Sequence, residues 1–307
     1  MQPVLEIRGF SRRDLSRVGS LLDWMRRRGR PYLEIPHLRL EVGRVYAVIG
    51  RSGAGKSVLN SLLMERPASR NVPSRRERAA WTRPTICLYL PQLLPDASGY
   101  DMGAWEYFLQ ISLALSEICG VPPMKSADYG TWLEEHDEIR SFKEGGRKLK
   151  VLSGGERRRL ELQARLLALT RLQEGEAGAR SLLILDEPTT GFDWKAQEDF
   201  LKSLRGELRK APGLTILVTT HALDKLWDED VFDGVVFVKK DAPAAGRGSA
   251  CCRVSRAFAR RDVVAAVARR EGGARGTAAS SQLLMDLCDL HPEALEKEIG
   301  GGRDGDR

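Results

Sequence analysis

The chain has 307 residues, 42% hydrophobic and 30% charged, enough for one large or two modest packed domains. No run approaches the roughly 18 consecutive apolar residues of a membrane span, and the net charge is +7. Five cysteines (Cys87, Cys119, Cys251, Cys252 and Cys288) form an odd set without metal-ligand spacing, which fits a reducing compartment. From the N-terminus, MQPVLEIRGF lacks the charged opening and apolar stretch of a secretory leader, so the expected location is cytoplasmic. Residues 4–8 of this start alternate like a strand. Over 14–28, Leu15, Val18, Leu22 and Met25 recur at three- and four-residue steps, which predicts a basic helix. Residues 32–45 resume strand character, broken by Pro36 and by a turn at Gly43. Tyr46 to Ile49 is a short apolar strand that runs into a glycine-rich loop and then a helix over 57–64.

Pro73 to Arg83 is polar and basic and reads as a loop, and 86–90 as a strand. Residues 101–149 are mostly helical in pattern, with breaks at Gly120 to Pro123. A strong amphipathic helix follows at 156–172, then a buried strand at 182–185, a helix at 194–210 and a strand at 215–219. Composition changes after Lys240. Residues 241–250, DAPAAGRGSA, read as a linker, 253–270 as an Arg/Ala-rich helix, 281–290 as another, and 300–307 as a disordered tail. Cys251-Cys252 has two readings: a redox or palmitoylation site, or two reduced thiols in a small-residue linker. Strands alternating with helices imply a mostly parallel sheet covered on both faces, with the helical stretch inserted into it. There is no internal repeat, so one unit is expected. The basic runs at 26–30, 75–78 and 157–159 are not interleaved with aromatics as a base-stacking surface is. They read as solvated faces, and nucleic acid is not the expected partner.

Three motifs carry chemistry. Gly50-Arg51-Ser52-Gly53-Ala54-Gly55-Lys56-Ser57 fits G-x-x-x-x-G-K-[ST], after an apolar strand and before a helix. Its glycines let successive N–H groups point at phosphate oxygens, and the helix adds its positive dipole end. Lys56 reaches the outer phosphates as a point charge, and Ser57 offers a hydroxyl to Mg²⁺. Leu182 to Glu187 is a buried strand ending in two acids, at the end where ligands of open α/β sheets bind. Asp186 is placed to hold the metal, and Glu187 to polarise an attacking water. Between them, Leu152-Ser153-Gly154-Gly155-Glu156 opens the helix that follows with an N-capping serine and bare amides, a second anion-ready helix terminus.

In this order the motifs resemble the ABC (ATP-binding cassette) ATPase family, whose signature stands here as LSGGE. The resemblance covers roughly residues 4–240. It implies an α/β P-loop NTPase fold with a mostly parallel sheet, an N-terminal antiparallel β region and a helical subdomain inserted at about 95–165. The cassette would fill 1–240 and leave 241–307 as linker and C-terminal extension, partly helical or disordered. It further implies a head-to-tail dimer around two Mg-ATP, each held between one subunit's Lys56 loop and the other's Ser153 helix. Gln92, in LYLPQ, resembles the Q-loop glutamine that touches metal and attacking water; Gly191-Phe192-Asp193 resembles the D-loop, with Asp193 near the dimer contact; His221, in VTTHALD, resembles the switch histidine. Ala164 to Ala168 resembles the helix after the signature. The distance from phosphate loop to signature leaves room for a compact helical subdomain and none for a long coiled coil.

An extra segment at about 11–31 departs from the family and obscures the aromatic that stacks on adenine. Tyr32 is the candidate and Phe10 the alternative, and either fits a core position equally well. Family precedent makes the expected function an ATP hydrolase that powers a membrane-spanning subunit on a separate chain, from a peripheral position on the inner face of the membrane. The alternative is a non-transport switch acting on a nucleic acid or protein complex. A third reading, a cassette that binds ATP without turnover, is opposed by the intact Lys56, Asp186, Glu187 and His221.

Overall fold

A computed structural model describes residues 3–13, 31–64, 81–97, 99–176, 178–190, 192–220, 231–241, 251–271 and 278–300. Nine strands form one sheet among them: β1 Pro3–Arg13, β2 Pro31–Glu41, β3 Val45–Ile49, β4 Trp81–Thr82, β5 Ile86–Leu90, β6 Ser181–Asp186, β7 Leu214–Thr219, β8 Gly234–Asp241 and β9 Cys251–Ala259, in the order β4-β1-β2-β9-β8-β3-β7-β6-β5. The helices are α1 Lys56–Met64, α2 Ala104–Cys119, α3 Ser126–Glu134, α4 Asp137–Glu144, α5 Gly154–Gly175, α6 Trp194–Lys210, α7 Arg260–Glu271, α8 Ala278–Cys288 and α9 Pro292–Gly300.

From β8 to β5 all neighbours are parallel, while β4-β1-β2 is antiparallel. Every position of β3, β6 and β7 is buried, as continuous Val/Ile/Leu runs require when both faces are covered. The two-residue period divides these side chains between two cores. Leu183, Leu185, Ile216 and Val218 face Leu160, Ala164 and Leu167 of α5 and Leu201 and Leu204 of α6. Leu182, Ile184, Leu217 and Val48 face Leu59, Leu62 and Leu63 of α1 and the N-terminal strands. The helical insertion rests on α5 through α2, and Phe108 stacks between Trp105 and Trp132.

The strands and helices expected from apolar runs are present, with small differences at their ends. β2 runs through Pro36 without a break. Gly9, at φ +62°, lies opposite Pro36, between the paired positions Arg8↔His37 and Phe10↔Ile35, and adapts β1 to a residue with no N–H to donate. A larger correction concerns the region after 240. Cys251 to Ala259 is a strand, antiparallel to β8 and parallel to β2, and the expected helix begins only at Arg260. Alternating burial of Cys252, Val254 and Phe258 won over Arg/Ala composition. Cys251-Cys252 therefore opens a strand of the main sheet and is not part of a linker. Both thiols are free, and burial pushes them up to about 11 and about 12, so they stay protonated. The helix expected over 14–28, 242–250 of the linker expected over 241–250 and 73–80 of the expected loop lie outside the described residues, as do 301–307 of the expected tail, whereas Asp241 ends β8 and Trp81–Thr82 of that loop form β4. Gly300 of that tail ends α9. None of the described helices is long and apolar enough to cross a membrane.

Candidate functional site

Four chain segments bring their ends together at the carboxyl edge of the parallel strands: Gly50 after β3, Gln92 just beyond β5, Asp186 closing β6 and Thr219 closing β7. The phosphate loop turns through Ala54 N–H donating to the Arg51 carbonyl at 3.0 Å. Two of its glycines are demanded by space. A Cβ on Gly50 would lie 2.2 Å from the Val238 carbonyl oxygen, and one on Gly55 would lie 2.5 Å from Cys252 Sγ, at a φ of +107°. Ser52, Gly53 and Ser57 are exposed. Lys56 is 7% exposed, and its ammonium donates to the Gly50 and Arg51 carbonyls at 2.9 and 3.4 Å. Burial lowers its pKa, opposed by the fields of Glu187 and Asp186.

The acids are held tightly. Asp186 Oδ2 accepts from the Tyr89 hydroxyl at 2.8 Å, and Oδ1 from the Thr219 hydroxyl. Burial and then the Asp186 contact push the Tyr89 phenol upward, so it is a donor. Glu187 is the non-glycine position at positive φ among the described residues, at +45°. That conformation costs about 1–2 kcal/mol. Its N–H donates to the Thr219 hydroxyl and carbonyl at 3.0 and 3.1 Å, and its carbonyl accepts from Arg158 at 2.6 Å and from the Thr190 N–H and hydroxyl at 3.1 and 3.0 Å. Each such bond contributes about 1 kcal/mol net, more for the guanidinium, so the strain is outweighed. Gln92 Nε2 donates to Glu187 Oε2 at 2.7 Å. Arg158, 6% exposed on α5, also donates to the Gln92 carbonyl and so joins two motifs. Arg158, Tyr89 and Thr219 were not singled out from the sequence. Tyr89 and Thr219 show in the sequence only as hydroxyl residues in apolar strands, while Arg158 belongs to the basic run 157–159 read there as a solvated face, a reading its burial corrects.

The second anion-ready terminus is formed as its sequence predicts. Ser153 caps α5, accepting from the Glu156 N–H at 3.2 Å, while Glu156 accepts from the Ser153 N–H at 2.8 Å, a capping box. Arg147 forks onto Glu156 at 2.6 and 3.2 Å and holds its carboxyl at about 2. Ser153 and Gly154 are exposed, and Gly155 lies under the Phe192 ring, which a Cβ would meet at 2.9 Å. Residues 153–156 thus pack against Arg147 and Phe192, whereas the phosphate loop packs against β8, β9 and the end of α8. Asp193 caps α6 by accepting from the Ala196 N–H at 2.8 Å. Tyr32 stands on β2 with its side chain outside the described residues, while Phe10 is buried in the core beneath the sheet. Gly191 and His221 lie outside the described residues.

For a divalent cation the donors at this edge are oxygens: the Asp186 carboxylate, the Ser57 hydroxyl and the Gln92 amide. Among the described residues no three His, Cys, Asp or Glu side chains gather to form a protein cage. One carboxylate and one hydroxyl beside a phosphate cradle match the hard, oxygen-seeking Mg²⁺ that arrives with a nucleotide.

The ABC transporter family model matches residues 33–190, just over half of the chain. The chain is 30% identical over 230 residues to the hemin import ATP-binding protein HmuV of Streptomyces coelicolor, covering 71% of this chain and 73% of that one. It is 27% identical over 192 residues to ABC transporter G family member 12 of Dictyostelium discoideum, covering 59% of this chain and 28% of that longer protein. In fold it matches a putative metal-chelate type ABC transporter in an inward-facing conformation, with TM-score 0.54 and 19% identity over 86% of each chain. A phosphate loop, a signature cap and a paired-acid strand end, in the order this family model spans, make the chain a member of the ABC transporter family and one of its ATP-binding, ATP-hydrolysing subunits.

Proposed function

We propose that the chain is half of a dimer that closes on two Mg-ATP and drives a membrane-spanning subunit carried separately, from a peripheral position on the inner face of the membrane. The observation that supports this most is the pair of anion-ready helix termini, one at Lys56 and one at Ser153, built against different neighbours, with Ser153 exposed. One triphosphate bridges such a pair most simply when a second copy supplies the far terminus.

In this scheme the amides of Gly50 to Ser57 and the Lys56 ammonium bind the outer phosphates, and Lys56 exchanges its two carbonyl partners for phosphate oxygens. The cap of the partner subunit's Ser153 completes the enclosure. Ser57, Asp186 and Gln92 would hold magnesium, which when bound would supply Lewis-acid neutralisation of charge on the outer phosphates. Glu187, fixed in its strained backbone and bonded to Gln92, orients water for in-line attack and accepts its proton. His221 lies near the γ-phosphate, Asp193 at the contact between the two copies, and Tyr32 stacks on adenine. The helical insertion, with the exposed Leu93 and Tyr100 beside it, docks on the membrane partner. Similarity to a protein named for hemin import favours import as the direction.

Glu187→Gln tests the scheme. It removes the proton acceptor and keeps the shape, so hydrolysis is expected to fall by at least about 100-fold. Light scattering should then find an ATP-dependent dimer that the wild type forms only transiently. Normal turnover in this variant, or a monomer at saturating ATP, overturns the scheme.

A further inference from the structure

The Asp186 carboxylate is gripped from both sides. Thr219 stands directly opposite it on β7, and Tyr89 stands one diagonal away on β5, opposite Ile184. Each flanking strand sends one hydroxyl to one carboxylate oxygen. Packing does not require either hydroxyl. Valine would satisfy the fully buried Thr219 position in a strand of apolar residues, and phenylalanine would fill the Tyr89 site. A carboxylate offers about four acceptor directions, so two are spent on these hydroxyls, and among the described residues no further hydrogen bond takes the others. Lys56 lies close enough to both acids to feel their charge. Thr219 also accepts from the Glu187 N–H at 3.0 Å, so a single hydroxyl fixes both acids relative to each other.

We propose that Tyr89 and Thr219 are positioning residues that lock the rotation of the Asp186 carboxylate and thereby set the affinity of the site for the nucleotide-bound divalent cation. This rests on the assignment of Asp186 to the metal. A hydroxyl clamp removes the torsional freedom that a metal would otherwise have to freeze. Had the hydroxyls served only to satisfy a buried carboxylate, their removal would lower stability and leave cation affinity per folded molecule untouched.

The test uses the full chain, with Mn²⁺ as probe read by electron paramagnetic resonance in the presence of adenylyl imidodiphosphate, so no turnover is involved. Tyr89→Phe and Thr219→Val are each expected to weaken Mn²⁺ binding by about 3- to 10-fold, the loss of one hydrogen bond of about 1 kcal/mol. Thr219→Ser, which keeps the hydroxyl, restores wild-type affinity. Analogue binding in EDTA stays within about twofold for all of them, because the amides and Lys56 are unchanged. Folded Tyr89→Phe and Thr219→Val proteins with wild-type Mn²⁺ affinity, or a Thr219→Ser as weak as Thr219→Val, overturn the proposal. Asp186→Asn separates the two levels. If it loses Mn²⁺ while the hydroxyl variants do not, only the clamp fails; if it binds Mn²⁺ as the wild type does, the metal assignment fails with it.

Discussion

Glu187 and Glu156 are both acids near the proposed nucleotide contacts, yet their surroundings give them different work. Glu187 is held by its backbone in a sparsely populated conformation, a form of strain that tends to gather where chemistry is done. Glu156 is held by its side chain, between Arg147 and the Ser153 N–H, and is a structural acid. Its carboxyl sits at about 2 in the fold against 4.5 ordinarily. A depressed carboxyl stabilises the fold fully above the ordinary value, and that contribution drains away as pH falls through 4.5 toward 2. Glu156→Gln is therefore expected to melt below the wild type at pH 7, with the gap narrowing steadily below pH 4.5. A gap that keeps its size down to pH 3 would show that shape and not charge is what Glu156 supplies. At this scale the sequence was legible wherever a residue's contacts lie close along the chain, as for the Ser153 cap. It was illegible for Arg158, Tyr89 and Thr219, whose partners lie 29 to 97 positions away.

Strands and helices with one clear pattern were equally readable. β5 and α6 have the bounds the sequence predicts, because a short apolar run and a three-to-four-residue stripe each admit one geometry. β8, β9 and α9 were not read. β8 fades from apolar to charged at its end, β9 hides its alternation under arginine and alanine, and α9 announces itself only by Pro292 at its first position with Leu295 and Ile299 one turn apart. β8 and β9 meet the phosphate loop, and so does the residue just past α8. Asp289, just past α8, grips Arg51 with contacts of 2.6 to 3.0 Å, and Cys252 of β9 lies against Gly55. A carboxylate thus sits beside the cradle where the triphosphate is proposed to bind. Asp289→Asn is expected to raise ATP affinity by about 2- to 5-fold at low ionic strength, the range of an exposed ion pair, with the gain fading above about 0.3 M salt. Titration with a fluorescent ATP analogue at two salt concentrations measures it. An unchanged or weakened affinity would mean that the grip serves the loop's shape.

At the scale of the whole molecule, nucleotide binding and assembly should be separable. Ser153 is exposed and distant in contacts from the Lys56 loop, so a bulky cation there leaves one copy's own cradle intact while blocking the face a second copy needs. Ser153→Arg is expected to bind ATP analogue within about threefold of wild type and to lose at least about 100-fold in turnover, about 2.8 kcal/mol at about 1.4 per decade. Combined with Glu187→Gln, it should return the trapped species to a monomer in light scattering. Rates that stay normal in Ser153→Arg would mean that each copy works alone.

β9 has one more implication. Although it comes late in the chain, it is the seam between the antiparallel ribbon at the front and the parallel slab that carries the chemistry, lying between β2 and β8. Trimming the chain at 240, where composition suggests a tidy end, would unzip this seam and leave two raw edges with unpaired amides, each a template for sticking to other copies. The last fifth of the polypeptide is thus a keystone of the fold, and any fusion or tag belongs beyond Gly300.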